Sequence, residues 1–361
     1  MNILCLNRKN FRRGIFLLIL FSPHSSPAYA EKYYENLNAS ISDSFVLPRY
    51  RALESANSAL SVSVTQYCNA PNADNLTLIR KLFSESMTAW QHIRIIRFGP
   101  VMKDSRYTRI QFWPDKRGTA ARQIRQALAN EDPQILNKGG LIGKSVALQN
   151  LSTFEYLLTT TPNQAFTCEL MAAIAAFQTR LAHEVVSDWE KPRGFRDTIL
   201  SAGTGNPTFE TIEAPATAFL KSVITLLDVV IRQKLQAPLG TDINRSFPKK
   251  SENWRTGLAR RNLVANLNSI IEIFEISGGF SGLLAEKKDK FLAKTIVQKL
   301  RGASKTIDTL PLPLSEAVTT PKTRAELEAV IANLQDVRIL IGEYVVNTLG
   351  LTIGFNALDG D

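Results

Sequence analysis

The stretch Gly143–Thr159, GKSVALQNLSTFEYLLT, decides how the rest of the chain is interpreted. Its apolar residues recur every three or four positions, which is the spacing of one helix face, so we predict a single helix over the whole stretch. Glu155 falls inside this apolar arc, between the directions of Leu148 and Leu151. A carboxylate placed there is predicted to be partly buried and to need a partner: a cation, such as an arginine in an ordinary core helix, a metal, or a cluster of hydrogen-bond donors. Ser152 lies one turn earlier and shares these surroundings.

The remainder of the chain repeats this helical spacing in long segments. Of 361 residues, 44% are hydrophobic and 21% are charged, and glycine and proline are too few for a loop-rich or all-β protein. We therefore predict an all-α fold of two helical-bundle halves packed together, residues 31–205 and 206–361. The predicted long helices cover residues 47–67, 76–96, 119–129, 166–189, 208–235, 254–276, 285–300 and 324–349.

The first thirty residues have the pattern of a secretory signal peptide. A basic region that ends at Arg13 precedes the short apolar run Ile15–Phe21, and Ala28-Tyr29-Ala30 supplies the small residues that precede a cleavage site. The apolar run is far shorter than the roughly 20 residues that span a bilayer. No later segment approaches that length and apolarity on inspection, so we expect no transmembrane segment. The mature protein is predicted to be exported into a bacterial periplasm.

The net charge of +10 includes four basic residues of the signal peptide. The other basic residues are scattered, form no long run and do not alternate with aromatic residues. Nucleic-acid binding is therefore not predicted. An anionic ligand or an envelope surface remains open as a partner of the basic chain.

Two cysteines, Cys68 and Cys168, remain after removal of the signal peptide. In an oxidising compartment two cysteines favour a disulfide, here closing a loop of about 100 residues. The alternative is two separate buried thiols. Neither cysteine has the CxxC spacing of a zinc site.

Familiar catalytic motifs are incomplete in this chain. Gly143-Lys144-Ser145 ends like a phosphate-binding loop, but the first glycine of that motif is out of place and no strand precedes it. His183-Glu184 begins like the zinc-protease motif HExxH, but Ser187 stands where the second histidine belongs. The residues alone therefore give no strong sign of an enzyme.

The sequence resembles the imelysin family, the iron-regulated periplasmic proteins also classed as the M75 peptidase group. The resemblance extends over essentially the whole mature chain. It is carried by the segments Arg97–Pro100, Phe112–Asp115, Ser145–Leu158, Trp254-Arg255, Gly278–Phe280 and Leu349–Asp361.

This resemblance implies an exported all-α protein of two bundle-like halves that is linked to iron acquisition. The family carries a GxHxxE signature that is associated with metal binding. Glu155 matches the glutamate of the signature, Ser152 stands at the histidine position and Asn150 at the glycine position. A serine hydroxyl is a poorer ligand than imidazole for iron or zinc, so the strongest metal ligand of the signature is missing.

The resemblance also implies where the site lies. In imelysin-like proteins the motif elements meet between the two halves, so we expect a ligand site in that cleft, formed by Glu155, Ser152 and Asn150 with Trp113 and Arg97 as walls. Arg97 or Arg255 is the expected partner of Glu155. We expect Asp359 in the C-terminal segment to lie nearby.

Three hypotheses about function follow from the resemblance. The first is a non-catalytic component of iron, other metal or haem uptake that binds a small ligand or a metal ion, with Glu155 as the candidate metal ligand and iron or another divalent metal as the candidate cofactor. The second is a metallopeptidase of the M75 kind. The third is an envelope component that binds another protein.

Overall fold

The structure is a computed structural model. It describes residues 27–354, apart from residue 116, residues 137–140 and residue 163. All regular secondary structure in this part of the chain is helical, which confirms the all-α prediction. Nearly all of the predicted signal peptide, together with Asp359, lies outside the described residues.

Eight α-helices precede the predicted boundary near residue 205. Four of them match predicted helices within a few residues, and the helix that ends at residue 160 begins later than predicted. The helices that begin at residues 27, 106 and 195 are not among the predicted ones. The eight helices are α1 (Pro27–Ser40), α2 (Leu47–Asn69), α3 (Ala73–Ile93), α4 (Arg106–Ile110), α5 (Thr119–Asn130), α6 (Leu151–Thr160), α7 (Ala165–Glu190) and α8 (Phe195–Leu200).

The remaining α-helices follow the boundary. They are α9 (Ala214–Asp228), α10 (Ala237–Leu239), α11 (Ala259–Glu275), α12 (Phe280–Glu286), α13 (Lys290–Asp308), α14 (Leu314–Ala317), α15 (Pro321–Ile339) and α16 (Val346–Leu349). Short 3₁₀ helices occupy Gly99–Ser105, Pro133–Ile135, Val146–Leu148, Ile243–Arg245 and Pro248–Lys250.

Three π-helical segments join neighbouring α-helices into long continuous helices. Ile41–Val46 joins α1 to α2, Val229–Gln236 joins α9 to α10, and Leu340–Val345 joins α15 to α16. A π turn accommodates an extra residue within a helix and often occurs at functional sites. The second of these segments lies beside the candidate site described below.

The prediction of one helix over Gly143–Thr159 is wrong for the residues before Leu151. Val146–Leu148 forms a separate 3₁₀ turn, and α6 begins only at Leu151. The Asn150 side chain accepts hydrogen bonds from the backbone N–H groups of Ser152 and Thr153, at 2.9 and 3.2 Å. Asparagine is a strong N-cap because it satisfies N–H groups that have no partner within the helix, so it starts a helix here rather than continuing one.

The helices pack around one hydrophobic core. Helix α2 packs against α3 and α7, and α11 packs against α3 and α13. A disulfide joins Cys68, near the end of α2, to Cys168, in the first turn of α7, with their Cα atoms 5.6 Å apart. Contacts between α3 and α11 connect the two predicted halves, and the exact boundary between the halves stays a prediction.

One helix is longer and more apolar than the sequence analysis predicts. Within the described residues, Ala214–Leu239 has a window of mean hydropathy 1.7, long and apolar enough to span a membrane by length and composition. The expectation that no later segment approaches the length and apolarity of a transmembrane helix is therefore wrong. The structure buries 78% of that window, as is normal for the central helix of a folded domain.

Candidate functional site

A cavity of about 630 Å³ lies where four segments of the chain meet. These segments are the loop before α5 with the start of α5, helix α6, the π segment between α9 and α10, and the loop before α11. They come from both sides of the predicted boundary near residue 205. The lining comprises Phe112, Trp113, Pro114, Asp115, Ala120, Ala121, Ile124, Ser152, Glu155, Tyr156, Asp228, Arg232, Gln233, Ala237, Lys249, Lys250, Ser251, Asn253, Trp254 and Arg255.

Glu155 is a buried carboxylate in the wall of this cavity. It is 3% exposed, as its place in the apolar arc predicts. One oxygen accepts hydrogen bonds from the backbone N–H and the hydroxyl of Thr256, at 3.1 and 2.7 Å, and the other accepts from Asn253 Nδ2 at 2.9 Å. These partners are neutral, so the expected ion pair of Glu155 with Arg97 or Arg255 is not formed.

The surroundings of Glu155 destabilise its charged form relative to water. Burial, the largest influence, raises the pKa of the Glu155 carboxyl above its ordinary value. The hydrogen bonds from Thr256 and Asn253 and the positive charge of Arg255 act in the opposite direction, and burial outweighs them. Glu155 is thus a carboxyl group at a cavity wall, and no cation of the described ranges forms an ion pair with it.

Two hydroxyl groups of lining residues have no hydrogen-bond partner in the described part of the chain. They belong to Ser152 and Ser251, and both oxygens are buried. Ser251 as a whole is only 1% exposed. A buried hydroxyl without a partner is costly, so these two groups are candidates for a hydrogen bond to a bound molecule.

Aromatic rings and cations form the outer wall. The Arg255 guanidinium lies 4.6 Å from the ring centroid of Trp254 and 4.9 Å from that of Tyr156. Lys249 Nζ lies 5.5 Å from the Trp254 centroid. Trp113 lines the same cavity, and Lys234 Nζ lies 5.9 Å from the centroid of its ring.

The other carboxylates of the lining already have partners. Asp115 accepts hydrogen bonds from the backbone N–H groups of Thr119 and Ala120 at the start of α5. Asp228 forms an ion pair with Arg338 at 2.6 Å, and Arg232 lies 3.8 Å from the same carboxylate.

Three cations of the lining, in contrast, have no carboxylate within 4.0 Å among the residues that the structure describes. They are Lys249, Lys250 and Arg255, and all three are exposed. The accessible side of the cavity therefore carries uncompensated positive charge.

A buried ionic network centred on Glu252 lies next to the cavity. The Glu252 carboxylate, 1% exposed, contacts Arg94 Nη1 and Lys234 Nζ, each at 2.7 Å. Further donors to it are the side-chain amides of Gln91, Gln111 and Asn262. Both oxygens of this carboxylate are thus satisfied, and two of the five donors are cations.

Lys234 and Arg94 keep the Glu252 carboxyl group ionised. Burial alone would raise the pKa of Glu252, but the charges of Lys234 and Arg94 lower it to about 2. Burial lowers the pKa of Lys234 to about 7, with Arg94 adding to this effect and Glu252 opposing it. Glu252 is therefore an anion at all ordinary pH values.

Asn253 connects the cavity to this network. Its Nδ2 donates to Glu155, and its Oδ1 accepts from Asn262 Nδ2 at 2.8 Å. Asn262 Nδ2 also donates to Glu252 at 2.9 Å. Asn253 has φ 51°, in the left-handed region, which asparagine tolerates better than most residues.

The structure brings together only part of the predicted site. Ser152, Glu155, Trp113 and Arg255 line one cavity. Asn150 instead caps α6 and does not line it.

Two further predicted residues do not contribute to the cavity as described. Arg97 lies over the ring of Tyr107, 4.6 Å from its centroid, and not at Glu155. Asp359 falls outside the described residues.

The residues around Glu155 do not fit a bare transition-metal ion. Both carboxylate oxygens already accept hydrogen bonds, and Ser152 occupies the position where the family signature has histidine. The described residues contain no group of three or more His, Cys, Asp or Glu side chains that could hold a metal ion. Imidazole and thiolate are the ligands that hold such ions tightly.

Comparison with known proteins identifies the fold and the family. The family model described as imelysin, peptidase M75, matches residues 46–341. An iron-regulated protein A of Synechococcus elongatus is 20% identical over 290 residues, which is 78% of this chain and 77% of that protein.

Solved structures show the same arrangement of helices. The crystal structure of an imelysin-like protein from Psychrobacter arcticum has a TM-score of 0.78 at 17% identity, covering 90% of this chain and 98% of that one. A protein from Parabacteroides distasonis, described as an iron-regulated protein A precursor, has a TM-score of 0.74 at 13% identity, covering 88% of this chain and 95% of that one. The chain belongs to the imelysin family.

Proposed function

We propose that this protein is an exported, non-catalytic binding component of iron acquisition, and that its ligand occupies the cavity at Glu155. The observation that carries this proposal is the cavity itself. It combines a carboxyl group that forms no ion pair with two buried hydroxyls that have no partner among the described residues. Such a concave site with a few convergent polar groups is the usual form of a small-molecule site.

The link to iron and to export rests on the family and on the sequence. Relatives are named iron-regulated proteins, and one of them is described as a precursor. The first thirty residues of this chain have the pattern of a cleaved signal peptide. The periplasm is therefore the proposed compartment.

The non-catalytic role rests on the degenerate signature. A metallopeptidase needs a metal that activates water and a general base beside it. Ser152 replaces the histidine that would best hold the metal, and Glu155 is already occupied by three donors. Among the three hypotheses, ligand binding therefore has the best support.

The test begins with the full-length chain expressed in a Gram-negative bacterium and recovered from its periplasm, with N-terminal sequencing to locate the cleavage site. Calorimetric titration with Fe²⁺, Zn²⁺, haem and ferric complexes should give binding of at least one iron species. Glu155→Gln should weaken that binding, and Glu190→Gln, a surface change, should not.

Three results would count against the proposal. Absence of binding to every iron species, by the wild type and by Glu155→Gln alike, would contradict the binding role. Cleavage of casein that a chelator abolishes would favour the peptidase hypothesis. Recovery of a stoichiometric envelope protein together with the chain, without any small ligand, would favour the protein-binding hypothesis.

A further inference from the structure

We propose that the cavity binds an organic anion that carries an aromatic ring and a hydroxyl group, the chemistry of an aromatic hydroxy acid, rather than a bare metal cation. This inference deepens the proposed function and rests on it for the location of the site. Three features of the lining, its charge, its rings and its unpartnered hydroxyls, each specify one part of the ligand.

The charge of the accessible wall specifies an anion. Lys249, Lys250 and Arg255 are exposed and have no carboxylate within 4.0 Å in the described ranges. Asp115 and Asp228 also line the cavity, but both already have partners in the protein, so the accessible side has an excess of positive charge. Such an excess raises the local concentration of anions. A free ferrous or zinc ion would be repelled by the same side chains.

The rings of the lining specify a planar group. Trp254 and Tyr156 both lie under the Arg255 guanidinium, and Trp113 lines the same cavity. Aromatic side chains favour stacked or edge-to-face contacts with other rings. An aliphatic anion would leave this contact unused.

The buried groups specify a hydrogen-bond donor on the ligand. Among the described residues, Glu155 Oε2 accepts one hydrogen bond, from Asn253, so it retains capacity for another donor. The hydroxyls of Ser152 and Ser251 have no partner in the described part of the chain, and Ser251 is 1% exposed. A ligand hydroxyl can donate to Glu155 and exchange hydrogen bonds with either serine.

A phenol bearing a carboxylate satisfies all three requirements in one molecule. The same chemistry has two sources, the metal-free hydroxy acid and its ferric complex. A cavity of about 630 Å³ lies within the usual range for small-molecule sites and admits either.

The probe is 2,3-dihydroxybenzoate, offered metal-free and as its ferric complex to the protein recovered from the periplasm. Binding is measured by calorimetry and by quenching of tryptophan fluorescence. Benzoate lacks the hydroxyl groups, cyclohexanecarboxylate lacks the aromatic ring as well, and Fe²⁺ alone lacks the organic anion. We expect 2,3-dihydroxybenzoate, in one or both forms, to bind at least fivefold more tightly than benzoate. Its affinity should exceed that of cyclohexanecarboxylate by a larger factor.

Variants locate the binding. Arg255→Gln should weaken 2,3-dihydroxybenzoate binding about tenfold, because a charge-assisted contact is lost. Ser251→Ala should reduce the preference for 2,3-dihydroxybenzoate over benzoate. Lys322→Gln, an exposed lysine outside the cavity, is the matched control and should leave the Kd unchanged. Since Arg255 is exposed, its replacement should not unfold the protein, and circular dichroism checks this.

The outcomes separate this inference from the proposed function. Binding of Fe²⁺ alone that depends on Glu155 but not on Arg255 would support the iron role and overturn the anionic class. Arg255-dependent binding of the metal-free acid, with no iron species bound, would support the anionic class and overturn the iron role. Absence of all binding would overturn both. Equal affinities for 2,3-dihydroxybenzoate, benzoate and cyclohexanecarboxylate would overturn this inference alone.

Discussion

Glu155 and Glu252 are two glutamates buried to nearly the same extent, at 3% and 1% exposed, but they have opposite surroundings. Glu252 is held by two cations and three amides, and its pKa falls to about 2. Glu155 is held by neutral donors alone, and burial raises its pKa. The first carboxylate has its partners within the protein, whereas the second retains capacity for a ligand. Burial alone therefore does not distinguish a binding-site carboxyl group from a structural one. Its hydrogen-bond and ionic partners make that distinction.

Removal of the Glu252 charge should have the largest effect on stability, and it tests this comparison most directly. Glu252→Gln leaves Arg94 and Lys234 as buried cations without a counter-ion, and breaking a buried ion pair in this way costs about 3–5 kcal/mol of the free energy of unfolding. Urea denaturation followed by circular dichroism measures the loss.

The matched control for this change is Glu190→Gln. Glu190 pairs with Arg51 at the surface, 2.7 Å apart, so its replacement should change stability by less than about 1 kcal/mol. Equal effects of the two changes would contradict the structural role assigned to Glu252.

The pH dependence of stability should differ in sign between the two glutamates. Glu252 has a folded pKa below its ordinary value of 4.5, so its stabilisation is complete above pH 4.5 and is lost as the pH falls toward 2, by about 3 kcal/mol. Glu155 has a raised pKa, so its contribution falls as the pH rises above 4.5.

The measurement is the free energy of unfolding of the wild type minus that of each Gln variant, from urea titrations across the acid range. The difference for Glu252→Gln should decrease toward low pH, and that for Glu155→Gln should decrease toward high pH. Parallel curves would show that the two carboxyl groups do not differ as described.

Removal of one cation should have a smaller effect than removal of the anion. In Lys234→Met, Glu252 keeps Arg94 as its counter-ion, and the protein no longer has to bury an ammonium group whose pKa burial lowers to about 7. We expect a loss of about 1–2 kcal/mol, mainly because Asn266 Oδ1 loses its donor. A loss as large as that of Glu252→Gln would mean that Lys234, not Glu252, is the centre of the network.

The smallest effect on stability is expected at Glu155 itself. Glu155→Gln keeps an acceptor for Thr256 and removes a poorly compensated buried charge, so the free energy of unfolding should change by less than about 1 kcal/mol at neutral pH. The same variant should weaken ligand binding at the cavity. A large loss of stability would instead assign Glu155 to the structural framework, as for Glu252.

Most of the fold is predictable because helical periodicity is a local property of the sequence. The burial of Glu155 follows from its place in an apolar arc. The start of α6 was mispredicted because the apolar spacing continues through Asn150, whose side chain nevertheless caps the helix. The helix that contains Tyr34, Leu37, Ile41 and Phe45 shows the same spacing and could have been found.

The partners of Glu155 and the Glu252 network could not be predicted in the same way. Asn253 and Thr256 lie about 100 residues from Glu155, in the loop before α11, so no local pattern relates them. The predicted helix 254–276 includes Thr256, but α11 begins only at Ala259. Glu252 lies in the same loop. Lys234 did give a signal, because it is a lysine beside buried Ile231 and Leu235 in an apolar helix, but its counter-ion was not identifiable from sequence.

The π segment Val229–Gln236 has a consequence for how this chain tolerates insertions and deletions. The segment holds one residue more than the same length of α-helix needs, so a one-residue deletion within it can be absorbed by conversion to α-helix. An insertion has no such reserve, because an α-helix turns about 100° per residue and everything after an added residue would rotate by that angle. A one-residue insertion between Asp228 and Lys234 should therefore move Lys234 away from Glu252 and disrupt the network and the cavity wall together, whereas the same insertion in the exposed turn at residues 203–205 changes only a surface loop.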